Sequence, residues 1–334
     1  MRVNIKQVAE AAKVSTATVS HVINNTRYVS EETRNRVLAA LKELNYRPSN
    51  IARSLRTQET KTIGLLMPIM VYSSFDYYFM KVGHGVHSTL KEHGYSVILG
   101  SSGNTKECEI EQIESFMTQQ IDGLIILPTE SDSDYLSSTL KGNLPVVFID
   151  RRAKGCKGDC VLADNLQGSY DAVTALINKG HRKIGFITNN LKATTIEERI
   201  AGYKKALTDH GIKVDESFMR FGDYTYETGY MLMKDLLEKE KEITAVFIAD
   251  NLLTMGALEY LYEINKKIPE EIAIISFDDF EWERIITPPL SVVKQPPFEI
   301  GQKAAEVLLE RLNNPDKPYT EYRLPTELVI RKSF

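Results

Sequence analysis

The chain has 334 residues, 43% hydrophobic and 26% charged, enough apolar material for a large core and too much length for one small domain. It has no run of about 18 apolar residues, the length a spanning helix needs, and its opening MRVNIKQVAE lacks the apolar stretch of a secretory signal. Three cysteines, Cys108, Cys156 and Cys160, suit a reducing compartment, so the expectation is a cytoplasmic protein without a membrane partner.

The net charge of −4 is unevenly spread. Residues 1–60 hold ten Lys/Arg against five Asp/Glu, a net of +5, and the remainder carries −9. A protein that brings one end to a polyanion while repelling it elsewhere needs that distribution. Residues 4–45 read as three short helices. Asn4, with Gln7 three residues on, can cap the first, whose apolar face is Ile5, Val8, Ala9 and Ala12. Lys13-Val14 turns the chain and Ser15 can cap the second helix. The third begins at Ser30, carries Glu31 and Glu32 in its first turn, and buries Val37, Leu41 and Leu44. On the second helix Val19, Val22 and Ile23 point to one side. Thr16, Ala17, Thr18, Ser20, His21 and Asn24 are small or hydrogen-bonding, and a helix presenting such residues can approach base edges in a major groove. A solvated face of a three-helix bundle would show the same periodicity.

Pro48 stops the third helix, and Asn50–Arg56 follows as a short potential helix with Leu55 between Arg53 and Arg56. One leucine flanked by arginines cannot build a core, but it can wedge into a minor-groove step while the arginines hold phosphates. The strings IKQVAEAAKVSTATVSHVINNTRYVSEETRNRV and LNYRPSNIARSLRT resemble the DNA-binding headpiece and hinge helix of the LacI/GalR family, nearest to its purine-responsive members. The resemblance implies that Thr16, Ala17 and His21 read bases. It also implies that Leu55 enters a central CG step of a pseudo-palindromic double-stranded DNA operator, and that the protein binds as a homodimer.

From residue 62 short β-branched runs alternate with amphipathic stretches. TIGLLMP, YSVILG, DGLIIL, PVVFID, CVLAD, KIGFIT, AVFIA and IAIISF read as buried strands; 79–93, 107–119, 166–179, 197–209 and 252–264 read as helices. This alternation predicts an α/β fold with parallel sheets, and about ten strands exceed one sheet, so two lobes follow. Gly94, Gly180 and Gly211 sit where helices should end. Ligands bind beyond the C-terminal strand ends of such sheets. There the sequence places Asp150-Arg151-Arg152, Asp250-Asn251, Asp278-Asp279 and Gln295, with Arg199 opening a helix-like ERIAGY. Carboxylates, amides and guanidinium groups match the hydroxyls of a polyol, and Tyr78, Phe79, Tyr224 and Trp282 are candidates for stacking.

This region is similar to the family's effector domain and to periplasmic sugar-binding proteins, and the resemblance implies pocket roles for Asp150, Arg151, Arg199, Tyr224, Asn251, Asp278 and Gln295. The loop IMVYSSFDYYF is longer than the common pattern, with Asp76 where many members have Asn, and Ala193 stands where purine-responsive members carry arginine. The expected ligand is therefore a sugar or sugar phosphate, with a purine, or control by a phosphocarrier protein partner, as alternatives. The expected domains are a helix-turn-helix headpiece (1–47), a hinge (48–61) and a two-lobed core (62–334). Lobe 1 would hold about 62–161 with 293–322, and lobe 2 about 162–292 with 323–334. No P-loop or GxGxxG follows a strand, His84 and His87 do not pair convincingly for a metal, and adjacent Asp278 and Asp279 should diverge. The expectation is a regulator, without metal or cofactor, and neither an enzyme nor a plain solute-binding protein.

Overall fold

The computed structural model of the protein describes residues 3–46, 59–69, 76–140 and 144–334. Residues up to Thr60 form one unit and Lys61–Phe334 another. In the first, helices α1 (Ile5–Ala11), α2 (Thr16–Asn24) and α3 (Glu31–Glu43) follow the predicted punctuation. The Asn4 side chain accepts from the amides of Lys6 and Gln7 at 3.0 and 3.1 Å, and the Gln7 side chain accepts from the Asn4 amide at 2.9 Å. That is a closed capping box. Lys13 turns the chain with a left-handed φ of 54°, and the Ser15 hydroxyl caps α2 at the Thr18 amide, 3.1 Å away. Val8, Ala9, Ala12, Val19, Val22, Val37 and Ala40 form the buried core, with Leu41 and Leu44 at its margin. The expected hinge helix, with Arg53, Leu55 and Arg56, lies outside the described residues.

In the second unit the apolar runs become strands, most of them buried on both faces; YSVILG, expected to be buried, is instead an edge strand with Leu99 exposed. Chain order is β1 (Thr62–Met67), α4 (Asp76–Glu92), β2 (Ser96–Ser101), α5 (Lys106–Thr118), β3 (Gly123–Ile126), α6 (Asp134–Thr139), β4 (Val146–Ile149) and β5 (Asp159–Ala163). It continues with α7 (Asn165–Asn178), β6 (Ile184–Asn189), α8 (Thr194–Asp209), β7 (Met219–Gly222), α9 (Tyr226–Lys239), β8 (Ala245–Ile248) and α10 (Asn251–Glu263). Then come β9 (Ala273–Phe277), α11 (Trp282–Ile285), β10 (Ser291–Lys294), α12 (Pro297–Asn313), β11 (Glu321–Leu324) and β12 (Glu327–Val329). Two six-stranded sheets result, ordered β2-β1-β3-β4-β5-β11 and β7-β6-β8-β9-β10-β12, parallel except for the β10–β12 pair. The same order recurs in both lobes, and in each the order reverses beside the first strand, the place where a crevice opens beyond the strand ends.

Each sheet carries helices on both faces. In lobe 1, α4 and α12 cover one core and α5 and α6 the other; in lobe 2, α7 and α8 face α9 and α10 across the sheet. The chain crosses between lobes at Asp164, at Gln295–Pro296 and at Pro325–Thr326. The last paired residues before the crossovers, Ala163, Lys294 and Leu324, each lie two residues beyond the expected approximate edges 161, 292 and 322. Sequence reading also passed over α9, α12 and the edge strands β7, β11 and β12. The edge strands are short and half-exposed, so they lack a continuous apolar run.

Candidate functional site

On α2 the expected base-reading residues occupy the outward side. Thr16 and Ala17 are exposed, and Thr18, Ser20 and His21 half-exposed, while Val19 and Val22 are buried. The Thr18 hydroxyl is 2.9 Å from that of Ser15, so it belongs to the cap. The His21 ring is held at Nδ1 by the Thr26 hydroxyl at 2.9 Å, which leaves Nε2 as the ring's other polar atom. Asn24 closes the helix, and Asn25 follows in the left-handed region at φ 51°, where its side-chain oxygen accepts from Arg34 at 2.8 Å.

The second site lies between the lobes, in a narrow cleft whose space, counted together with its open mouth, is about 650 Å³. Asp150 follows β4 and Asp278 follows β9, equivalent strand ends in the two lobes. Both take a left-handed backbone, at φ 64° and 78°. Aspartate tolerates this better than most residues, and the strain turns each carboxylate into the cleft. The Tyr78 hydroxyl of α4 donates to Asp150 at 3.1 Å, and the Tyr224 hydroxyl, after β7, donates to Asn251 at 2.9 Å, so each lobe contributes one aromatic ring. The Gln295 amide nitrogen donates to Asp278 at 2.6 Å, while its oxygen is buried with no partner among the described residues. That oxygen is an acceptor awaiting a donor.

Two guanidinium groups meet these carboxylates. Arg151 donates from Nη1 to the carbonyls of Pro128 and Thr129 at 3.2 and 2.9 Å, with its Nε 3.7 Å from Asp150. Arg199 donates to Asn165 and to the Ala249 carbonyl at 3.0 and 2.8 Å, and its plane lies 3.7 Å from the Phe277 ring centroid. Burial pushes the Asp250 carboxyl up to about 7, opposed by hydrogen bonds from Asn189 and Leu253 and by Arg199. Burial likewise raises Asp278, opposed by Arg199 and Gln295.

Of the expected ligand residues, Tyr78, Asp150, Arg151, Arg199, Tyr224, Asn251, Asp278 and Gln295 line this cleft. Phe79 does not. It is 1% exposed in the lobe 1 core, edge-on to Tyr78 at 5.5 Å. Asp76 opens α4, and its side chain is outside the described part. Trp282 packs against the lobe 2 core, and Asp279 turns away to Arg284 and Arg331 at 2.8 and 2.5 Å. Asp250, noted at its strand end, lines the cleft, as do Asn189, Asn104, Thr195 and Ile196, which were not singled out. Asn189 closes β6 and directly follows the apolar run KIGFIT, so the strand-end rule applied to every strand would have found it. Asn104 lies three residues beyond β2, in the loop before α5. Among the described residues no group of three His, Cys, Asp or Glu could hold a metal.

A model of bacterial regulatory proteins of the lacI family matches residues 4–49, and one of the periplasmic binding protein-like domain matches residues 173–334. The ribose operon repressor of Haemophilus influenzae is 36% identical over 330 residues, covering 98% of each chain. The transcriptional repressor PurR of Escherichia coli is 38% identical over 331 residues, covering 98% of this chain and 96% of that protein. Among solved structures, the lac repressor dimer bound to operator and the anti-inducer ONPF is similar with a TM-score of 0.88, 26% identity and 100% and 99% coverage. A LacI family regulator from Enterococcus faecium with bound ribose gives 0.70 at 28% identity, over 81% of this chain and 98% of that one.

Proposed function

The chain belongs to the lacI family of bacterial regulatory proteins, DNA-binding transcription regulators, and we propose that it is a repressor whose effector is an uncharged sugar. Such regulators bind operator DNA as dimers, with a small molecule between the lobes of each chain. In this reading Thr16, Ala17, Thr18, Ser20, His21 and Asn24 face the bases, and Arg53, Leu55 and Arg56 act at the operator centre. Asp150, Arg151, Arg199, Tyr224, Asn251, Asp278 and Gln295 hold the effector. An effector changes operator affinity only by binding one lobe arrangement better than another.

The observation that carries the choice of ligand is the charge balance of the cleft. Arg151 stands against Asp150, and Arg199 acts on both Asp278 and Asp250, so among the described residues lining the cleft no cation is left over to neutralise a phosphate. Carboxylates accept, guanidinium groups donate and the amides of Asn251 and Gln295 do both, which suits hydroxyls that also do both. Ala193, where the resemblance implies an arginine for purine-responsive members, is buried and offers a purine no polar group. D-ribose is the first candidate, since one relative is named for the ribose operon and one similar structure holds ribose.

Thermal denaturation tests the proposal. D-ribose at a hundred times its Kd should stabilise the protein by about 2.7 kcal/mol, a rise in Tm of several degrees. Asp278→Asn should abolish the shift. A rise with ribose 5-phosphate or hypoxanthine, and none with any neutral pentose or hexose, would overturn it.

A further inference from the structure

Glu109 is a fully buried carboxylate on α5, in the interior of lobe 1 and outside the lining of the cleft. A charge in that position is costly unless its oxygens are fully engaged. One oxygen accepts from the Thr129 amide at 2.7 Å and from the Thr129 hydroxyl; the other accepts from the Tyr135 hydroxyl at 3.0 Å. Burial raises its pKa, the three hydrogen bonds oppose that, and Arg151 is the cation that acts on it.

Thr129 lies in the segment after β3, and that segment has two further tasks. The carbonyls of Pro128 and Thr129 take the Arg151 guanidinium. Two residues on, the Ser131 amide donates to the Lys192 carbonyl of lobe 2 at 3.1 Å, and the Ser131 carbonyl accepts from the Lys154 amide at 2.7 Å. One carboxylate therefore fixes a strip of backbone that grips the guanidinium at one end and meets the second lobe at the other. An apolar side chain could fill the same volume without the desolvation cost, but it could not bind the Thr129 amide and hydroxyl together.

We infer that Glu109 is a positioning residue for effector binding, setting Arg151 in the cleft and Ser131 against lobe 2 through Thr129. The inference rests on the reading of Arg151 as an effector contact. Glu109→Gln keeps the shape but places an amide N–H₂ where one of the two acceptors stood.

Calorimetric titration with D-ribose, on the full-length protein, should show Kd weakened about tenfold in Glu109→Gln, in the range of a lost charge-assisted bond. Because Glu109 acts in part through Arg151, the double variant with Arg151→Lys should lose less affinity than the product of the two single losses. A merely structural loss would multiply with it. Hydrogen exchange on the sugar-free protein gives an independent reading: the Thr129 and Ser131 amides should exchange faster in Glu109→Gln while lobe 2 core amides stay unchanged. Wild-type binding by Glu109→Gln, multiplicative losses, or unchanged Thr129 and Ser131 exchange would each overturn the inference. If the wild type takes no D-ribose, the proposed effector falls, and the exchange measurement still decides the role of Glu109.

Discussion

At the scale of single residues, burial of carboxylates sets the pH response. Glu283 in α11 is 0% exposed, with one oxygen accepting from the Phe280 amide at 2.6 Å and the other without a partner among the described residues. Burial pushes it up to about 9, and Asp250 to about 7. Both ionise in the unfolded chain near ordinary carboxylate values, so between those values and their folded ones the folded state holds protons that the unfolded state has lost. Stability from this source is complete at acid pH and is lost as pH rises through about 7 and then about 9. Carboxylates held low by partners, such as Glu321 and Asp235, work in the opposite sense, below their ordinary values. The Tm should therefore fall between pH 6 and pH 9, and Glu283→Gln should flatten the upper half of that fall. An unchanged slope in the variant would show that Glu283 is ionised in the folded protein.

At the scale of elements, α4 and α12 pack through glycine. A Cβ at Gly301 would stand 2.0 Å from the Val82 carbonyl oxygen, and one at Gly85 2.1 Å from that of Phe298. Backbone cannot swing aside as a side-chain tip can, so Gly301→Ala must part the two helices that cover the lobe 1 core. The expected cost is about 2 kcal/mol or more by urea denaturation. Gly94, with φ 76° and open space around it, provides the contrast: Gly94→Ala meets only backbone strain, about 1 kcal/mol. Equal costs for the two would mean that the helices are not held at glycine distance. The helix ends marked by Gly94, Gly180 and Gly211 were legible in the sequence because positive φ leaves a residue-type signature. The approaches of Gly85 to Phe298 and of Gly301 to Val82 join residues more than two hundred positions apart, and the sequence carries no mark of that pairing.

At the scale of the whole molecule, the neighbours of the cleft residues bind the lobes to each other. Arg152, next to Arg151, donates to Glu198 of lobe 2 at 2.8 Å and to Glu321 at 2.5 and 2.9 Å. Arg323 completes the ring, donating to Glu198 at 2.7 and 3.1 Å and to Glu321 at 2.9 Å. Glu198 precedes Arg199, so the segments proposed to hold the effector also carry the ion pairs between the lobes. The network is partly exposed, and its strength should fall with salt. Glu198→Gln should weaken D-ribose binding about threefold in low salt, the order of an exposed pair, with the difference shrinking towards 1 M NaCl. A variant equal to the wild type in low salt would exclude the network from closure.

The headpiece helices, their caps and the alternation of strands and helices were determined by the sequence, because period and punctuation are local properties of the chain. Most of the cleft followed from them, since Asp150, Asp278 and Gln295 come directly after apolar runs and Asn251 one residue later, and strand ends are where parallel sheets bind. Only the tertiary structure decided that Phe79 is core while Tyr78 faces the cleft, and that Glu109 stands behind Arg151. Those outcomes depend on which distant elements pack against each residue, and side-chain direction and burial are fixed there rather than by neighbours in the chain.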